Sequence, residues 1–300
     1  MTKTLLMAGD GTRLACWDLG GPGGSDDRRP VLMVHGTGLN ARSWAPVAGL
    51  LAGAGFRPLA LDMRGHGASG RSPDGEYPWS RFGGDVLAAV DELGPSKGAG
   101  GASEARGASG ARGLIGVGHS AGASALLLAE AARPGTFSGL WVWEPIMSTP
   151  STDLRQTRGA ELARRARQRR AHFVSAEEGR SHFAGRGIFA EFSAAALDAF
   201  SSGAFVADET GGVSLACRPE DEARMYEAGA DHNVWEQLAQ VLCPVRVVGG
   251  ERSPAVPPDE LERITGRLPA GELAVMAGLA HFGPFQDPAM VAADIQRWST

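Results

Sequence analysis

The sequence predicts an α/β fold: a mostly parallel sheet flanked by helices, with a helical segment inserted into it. Three observations carry this reading. Short apolar, β-rich runs alternate with helix-length segments along most of the chain. The runs Val31-Leu32-Met33-Val34 and Leu114-Ile115-Gly116-Val117 are almost continuously apolar, as strands covered on both faces are. Between about 151 and 234 strand signals largely vanish and helical ones dominate.

In chain order, residues 1–19 alternate apolar and polar side chains around Gly9-Asp10-Gly11 and read as a hairpin. A strand at 31–35, a helix at 44–54, a strand at 57–62, a helix at 82–93, a strand at 114–118, a helix at 121–132 and a strand at 139–144 follow. The inserted segment suggests helices at 153–174, 194–200 and 220–228. The alternation resumes with a strand at 244–249, a helix at 258–267, a strand at 272–276 and a helix at 288–298. The expected core is therefore discontinuous, residues 1–150 with 233–300, around an inserted helical lid at 151–232. Residues 94–113, almost wholly Gly, Ala, Ser, Arg and Glu, offer too little apolar surface to order themselves and are expected to form a flexible surface loop.

Composition narrows the functional classes. With 300 residues, 43% hydrophobic and 21% charged, the chain is an ordinary globular one, neither disordered nor fibrous. A chain of this length buries roughly 75% of its extended surface, so it needs no disulfide framework or structural metal. Cys16, Cys217 and Cys243 are odd in number and lack C-x-x-C spacing, which suggests free thiols and a reducing, cytoplasmic location. A net charge of -5 and only two tyrosines offer no nucleic-acid surface. No stretch approaches the ~18 to 20 continuous apolar residues of a membrane span. The expected partner is a small molecule, with a homodimer left open.

Gly118-His119-Ser120-Ala121-Gly122 places G-x-S-x-G between a buried strand and an Ala- and Leu-rich helix. In such a turn the serine backbone is strained, the glycines remove Cβ atoms that would clash, and the hydroxyl stands above the strand's carboxyl end. The first N–H groups of the following helix face the same point, Ala121 first, and can stabilise an oxyanion.

With these motifs in view, the sequence resembles the α/β-hydrolase fold family over nearly its whole length. Val31-Leu32-Met33-Val34-His35-Gly36-Thr37-Gly38 is similar to that family's first oxyanion loop, Leu61-Asp62-Met63-Arg64-Gly65-His66-Gly67 to its next strand-end turn, and Gly278-Leu279-Ala280-His281-Phe282 to its catalytic-histidine loop. The resemblance implies Ser120 as nucleophile, His281 as general base, and the backbone N–H groups of Thr37 and Ala121 as the oxyanion hole. It implies a structural, non-chemical role for Asp62.

The triad acid departs from the pattern. Relatives usually carry it in a G-E-x-D-P-like turn after the penultimate core strand, but Gly250-Glu251-Arg252-Ser253-Pro254 has Ser253 where the aspartate would stand. Two substitutes remain. Glu144 ends the apolar strand Leu140-Trp141-Val142-Trp143, a position some family members use, and Glu251 lies in the turn itself. Glu144 is favoured, because a carboxylate closing an apolar strand needs a partner and a histidine N–H supplies one. Pro145 is expected to hold Glu144 extended.

Several decoys are set aside. Gly36-Thr37-Gly38-Leu39-Asn40-Ala41 and the serine motif both satisfy G-x-G-x-x-A, but neither has the context of a dinucleotide site. The histidines show no metal-ligand spacing, so neither cofactor nor metal is expected. The arginine run Arg164, Arg165, Arg167, Arg169 and Arg170 reads as a solvated helix face rather than an anion site. Phe173, Phe183, Phe189, Phe192 and Tyr226 read as a small core of the inserted segment rather than as substrate contacts. A serine at position 120 excludes the aspartate-nucleophile dehalogenases and epoxide hydrolases. What remains is a serine hydrolase of an ester, lactone or thioester; the alternatives are a carbon–carbon hydrolase of meta-cleavage type, or a non-hydrolytic enzyme or ligand-binding protein on the same fold.

Overall fold

The structure, a computed structural model, describes residues 1–21, 28–93, 113–147, 153–209, 211–229 and 233–299. The chain opens with the hairpin β1 (Thr2–Met7) and β2 (Arg13–Asp18), whose turn is closed by Ala8 N–H donating to Thr12 O at 2.8 Å. β3 (Arg29–Val34), α1 (Ala45–Gly53), β4 (Phe56–Asp62), α2 (Trp79–Leu93), β5 (Ile115–His119), α3 (Ala121–Ala132) and β6 (Gly139–Trp143) follow. Next come α4 (Asp153–Arg167), β7 (His172–Phe173), α5 (Ala176–Phe183), α6 (Ala194–Ala204), β8 (Phe205–Ala207), β9 (Val213–Leu215) and α7 (Pro219–Ala228). The chain then runs through α8 (Val234–Gln237), β10 (Val245–Gly250), α9 (Pro258–Arg267), β11 (Gly271–Met276), α10 (Gly283–Gln286) and α11 (Pro288–Ser299).

Eight strands form one sheet in the order β1-β2-β4-β3-β5-β6-β10-β11. The first hairpin and the β2–β4 pair are antiparallel; the five remaining pairs are parallel. Every residue of β5 and β6 is buried, which is why those runs read as continuously apolar. One face packs against α2, α3 and α9 through side chains such as Val86, Leu126 and Ile264. The other packs against α1 and α11 through Val47, Leu51 and Ile295. Each such fully buried aliphatic contributes about 1.5–3 kcal/mol.

The segment between β6 and β10 differs from the sequence expectation. The helix expected at 153–174 ends at Arg167, where Gln168 and Arg169 turn back onto the carbonyls of Arg165 and Ala166. The chain then extends, with Phe173 buried among aromatic rings between the exposed His172 and Val174, the alternation expected of extended chain. β7, β9 and β8 form an antiparallel three-stranded sheet that the sequence did not announce. Phe173, Phe183 and Phe189 join Phe200 in the expected aromatic core, with ring centroids 4.6 Å apart for Phe189 and Phe200. The expected flexible loop lies outside the described residues except for Gly113, and both expected core–lid boundaries fall at undescribed positions.

Candidate active site

The serine motif forms the turn between β5 and α3. Ser120 has φ 55° and ψ -122°, a conformation that costs a residue with a Cβ about 1–3 kcal/mol and persists only where its surroundings fix it. Here Ser120 N–H donates to Trp143 O at 2.9 Å, and Ser120 O accepts from Ser124 N–H at 3.1 Å. The flanking glycines are required by close approach: a Cβ on Gly122 would stand 2.4 Å from the carbonyl oxygens of Val34 and His35, and one on Gly118 2.6 Å from Ala123 Cα. Among the described residues the Ser120 hydroxyl makes no hydrogen bond, and it faces the same cavity as His281.

His281 lies in the loop after β11. Its backbone carbonyl accepts from Trp143 Nε1 at 2.8 Å and His119 Nε2 at 3.1 Å, so the ends of β5 and β6 hold the loop directly. Its Nδ1 lies 2.6 Å from Glu144 Oε2. Glu144 is completely buried, and the same oxygen accepts from Ser253 Oγ at 2.6 Å while Oε1 accepts from Gly250 N–H at 2.8 Å. Glu251 turns away; its carboxylate accepts from Gly278 N–H at 2.9 Å. One expectation is corrected. Glu144 is not extended before Pro145 but has φ 44°, a left-handed conformation. Its N–H donates to Val248 O at 2.8 Å, and the three hydrogen bonds on its carboxylate outweigh a strain of about 1–2 kcal/mol.

The loop after β3 is fixed by two buried histidines. His35 Nδ1 donates to Gly36 O at 2.8 Å and its Nε2 accepts from Met63 N–H at 3.1 Å. Because the peptide is trans, a Gly36 carbonyl anchored this way turns the Thr37 N–H in the opposite direction, and Thr37 lines the cavity. His66 Nδ1 donates to Arg64 O, and its Nε2 accepts from Gly38 N–H at 3.0 Å. Burial lowers both imidazoles, His35 to about 4 and His66 to about 3, so both stay neutral and keep these acceptors. Burial likewise holds His119 well below its ordinary value, with His281 adding to the shift. Asp62 accepts from Trp17 Nε1, Ala41 N–H and Ala68 N–H within 3.0 Å, so its carboxylate braces the turns on either side of the loop. As the first residue of α3, Ala121 has an N–H with no intrahelical partner.

The cavity over Ser120 has a volume of about 430 Å³. Thr37, Ser120 and His281, from loops at the ends of sheet strands, line it together with Leu162 of α4 and Ile188. Tyr226 lines this cavity too, unlike the phenylalanines grouped with it in the sequence. The arginine run is paired throughout: Arg164 and Arg165 with Glu161, Arg167 with Glu220 and Glu227, Arg170 with Glu178, and Arg169 with Glu222. Arg169 departs from the expected solvated face. It is largely buried and reaches Glu222 beneath Gly38, where φ is 80° and a Cβ would meet Glu222 Oε1 at 2.7 Å.

A family model described as the alpha/beta hydrolase family matches residues 31–294. The chain belongs to the alpha/beta hydrolase family. Among solved structures, this hydrolase-family chain is similar to E-2-(acetamidomethylene)succinate hydrolase, at 22% identity over 99% of this chain and 98% of the other, TM-score 0.77. It is also similar to an esterase of Thermogutta terrifontis, at 21% identity over 99% and 98% of the two chains, TM-score 0.70. At these identities the likeness speaks for the fold. A Synechocystis sp. protein named as a candidate non-heme chloroperoxidase is 34% identical over 65 residues, and that match spans 22% of this chain and 23% of the relative.

Two elements of this alpha/beta hydrolase site escaped sequence reasoning. Ser253 had been read as a missing acid; it is the hydrogen-bond donor that holds Glu144. His119 and Trp143, to which the sequence assigned no role, both donate to the His281 carbonyl. The signal available was a polar atom in an otherwise apolar strand end, which needs a partner when buried. Among the described residues no group of three or more His, Cys, Asp or Glu is placed to hold a metal ion. No described helix is long and apolar enough to cross a membrane.

Proposed function

We propose that this chain is a serine hydrolase that opens a carboxylic ester, lactone or thioester of a small molecule through an acyl-enzyme on Ser120. One observation carries the reading: a buried carboxylate lies 2.6 Å from the His281 imidazole, and that imidazole shares a cavity with a serine in a strained strand-to-helix turn. Ser120 Oγ attacks the carbonyl carbon while His281 Nε2 takes its proton, and Glu144 orients and stabilises the imidazolium through Nδ1. The N–H groups of Thr37 and Ala121 receive the oxyanion, each worth about 3 kcal/mol in the transition state. Collapse expels the alcohol or thiol, protonated by His281. Water then attacks the acyl-enzyme with His281 as base and frees the acid and Ser120. The segment from α4 to α7 acts as the lid of this site, which explains why residues of α4 and α7 wall the cavity. Similar solved structures described as an esterase and a thioesterase domain fit this class of chemistry.

The test is a burst experiment with a p-nitrophenyl short-chain ester on wild type, Ser120→Ala, Glu144→Gln and Glu251→Gln. Expected are a wild-type burst, none in Ser120→Ala, a loss of several orders of magnitude in Glu144→Gln, and a rate within about threefold of wild type in Glu251→Gln. A folded wild type that acylates with none of several esters overturns the ester reading in favour of carbon–carbon cleavage or a non-hydrolytic role. A collapse at Glu251 instead of Glu144 reassigns the acid.

A further inference from the structure

Among the described residues, the charges around the cavity do not cancel at one point. Arg158, Gly159, Leu162 and Arg165 of α4 line it, the spacing of one helix face. Arg165 is paired with Glu161 at 2.6 Å. Glu260, a carboxylate that lines the same cavity, has an interaction of its own. Arg158 differs. Its guanidinium donates from Nη1 to Ala255 O at 2.8 Å and from Nη2 to Pro254 O at 3.2 Å, and among the described residues it meets no carboxylate.

Those two carbonyls orient an otherwise exposed guanidinium, and no described carboxylate balances its charge. Of its five N–H donors two are engaged, so a face of the fork remains for an anion. A guanidinium oriented by two carbonyls before the ligand arrives loses less freedom on binding than an unanchored one, and a carboxylate matches its fork with two charge-assisted hydrogen bonds. The same cavity also has apolar lining, with Ile146, Met147, Val256 and Phe282, beside its polar residues. An aliphatic stem with one charged end therefore suits this cavity better than a wholly apolar acyl chain.

We infer that the substrate of this site carries a carboxylate away from its scissile carbonyl, and that Arg158 is the residue that selects for it. The inference rests on the hydrolase reading for the position of the scissile bond. The same observations also describe a clasp between α4 and the turn at 250–255, so the test must separate selection from clasping.

The experiment compares matched pairs of stable esters in a pH-stat: monoethyl succinate with ethyl butyrate, and O-acetylglycolate with ethyl acetate, which put the carboxylate on the acyl and alcohol sides respectively. Wild type is expected to favour the anionic member of at least one pair tenfold or more in kcat/KM. Arg158→Gln, which keeps an amide donor and loses the charge, is expected to erase that preference through KM, and Arg158→Lys to retain part of it. Calorimetric binding of the same esters to Ser120→Ala, with and without Arg158→Gln, reads the preference without turnover. Equal treatment of both members by wild type and by Ser120→Ala overturns the inference. So does an Arg158→Gln variant that loses the two members in equal proportion, the result of a clasp alone. If wild type cleaves neither pair while Ser120→Ala binds the anion through Arg158, the hydrolase reading fails and the anion site stands; cleavage without preference has the opposite meaning.

Discussion

Ser253 shows how a short side chain can carry a site. Its hydroxyl and the His281 imidazole converge on one oxygen of Glu144, each at 2.6 Å, and the hydroxyl also accepts from Ala255 N–H at 3.1 Å. Ser253→Ala removes a donor from a buried carboxylate, a loss of about 1–3 kcal/mol, and leaves Glu144 held by Gly250 N–H and His281 alone. The expected result is a kcat about tenfold or more lower with KM little changed, read by steady-state kinetics on a neutral ester. The two histidines behind Thr37 make a second prediction. Their imidazoles are depressed from 6.5, so the stability they confer is complete above about pH 6.5 and is lost as pH falls through about 4 for His35 and about 3 for His66. Nitrogen-15 NMR at pH 5.5 should therefore show both rings neutral with the proton on Nδ1. A doubly protonated His66 at that pH would contradict the acceptor role assigned to its Nε2.

At the scale of elements, the loop after β3 is held from two sides. The sheet side is His35 and His66. The other is the pair of Arg169, just beyond α4, and Glu222 of α7, which meet under Gly38 and lie beside Tyr226. Burial pushes the Tyr226 phenol well up, with Glu222 adding to the shift, so it stays protonated and can donate to that carboxylate. Glu222→Gln strands a largely buried guanidinium, for which removal of one partner typically costs about 3–5 kcal/mol. Urea unfolding should show that loss, with the denaturant slope unchanged. A cost under about 1 kcal/mol would mean that water already reaches the pair.

Across the whole molecule, both sheet edges present apolar side chains to solvent: Leu5 at 49% and Met7 at 60% on β1, and Val275 at 53% on β11. Open edges of this kind template association. Leu5→Lys combined with Met7→Lys is expected to lower heat-induced aggregation, measured by light scattering, while moving Tm by no more than a few degrees. The parallel sheet was legible because strands such as β5 and β6 are buried on both faces and so are written in unbroken apolar runs. The carboxylate beside His281 was legible for a subtler reason: Ser253 vacates the usual turn, and Glu144 is a charge that an apolar strand has no other reason to carry. The three-stranded sheet was not legible, since β7 has two residues and β8 and β9 three each, too few to establish a period of two. Nor was the left-handed backbone of Glu144. A local rule about residues before proline pointed elsewhere, and the contacts that overrule it come from residues 104 or more positions away in the chain.

The seat of Ser253 gives this site a path through sequence space. Ser253 Oγ and His281 Nδ1 touch the same carboxylate oxygen, so they lie no farther apart than about 5 Å. A single change, Ser253→Asp, adds a second acid while Glu144 is still in place, and a later Glu144→Gln removes the first. His281 has a carboxylate partner at each step. On the proposed reading, the intermediate crowds two carboxylates into one buried seat and lacks the Ser253 donor, so its activity decides whether the acid can move between neighbouring strands without an inactive step. Making the two changes in order, and measuring activity after each, tests whether that path is open.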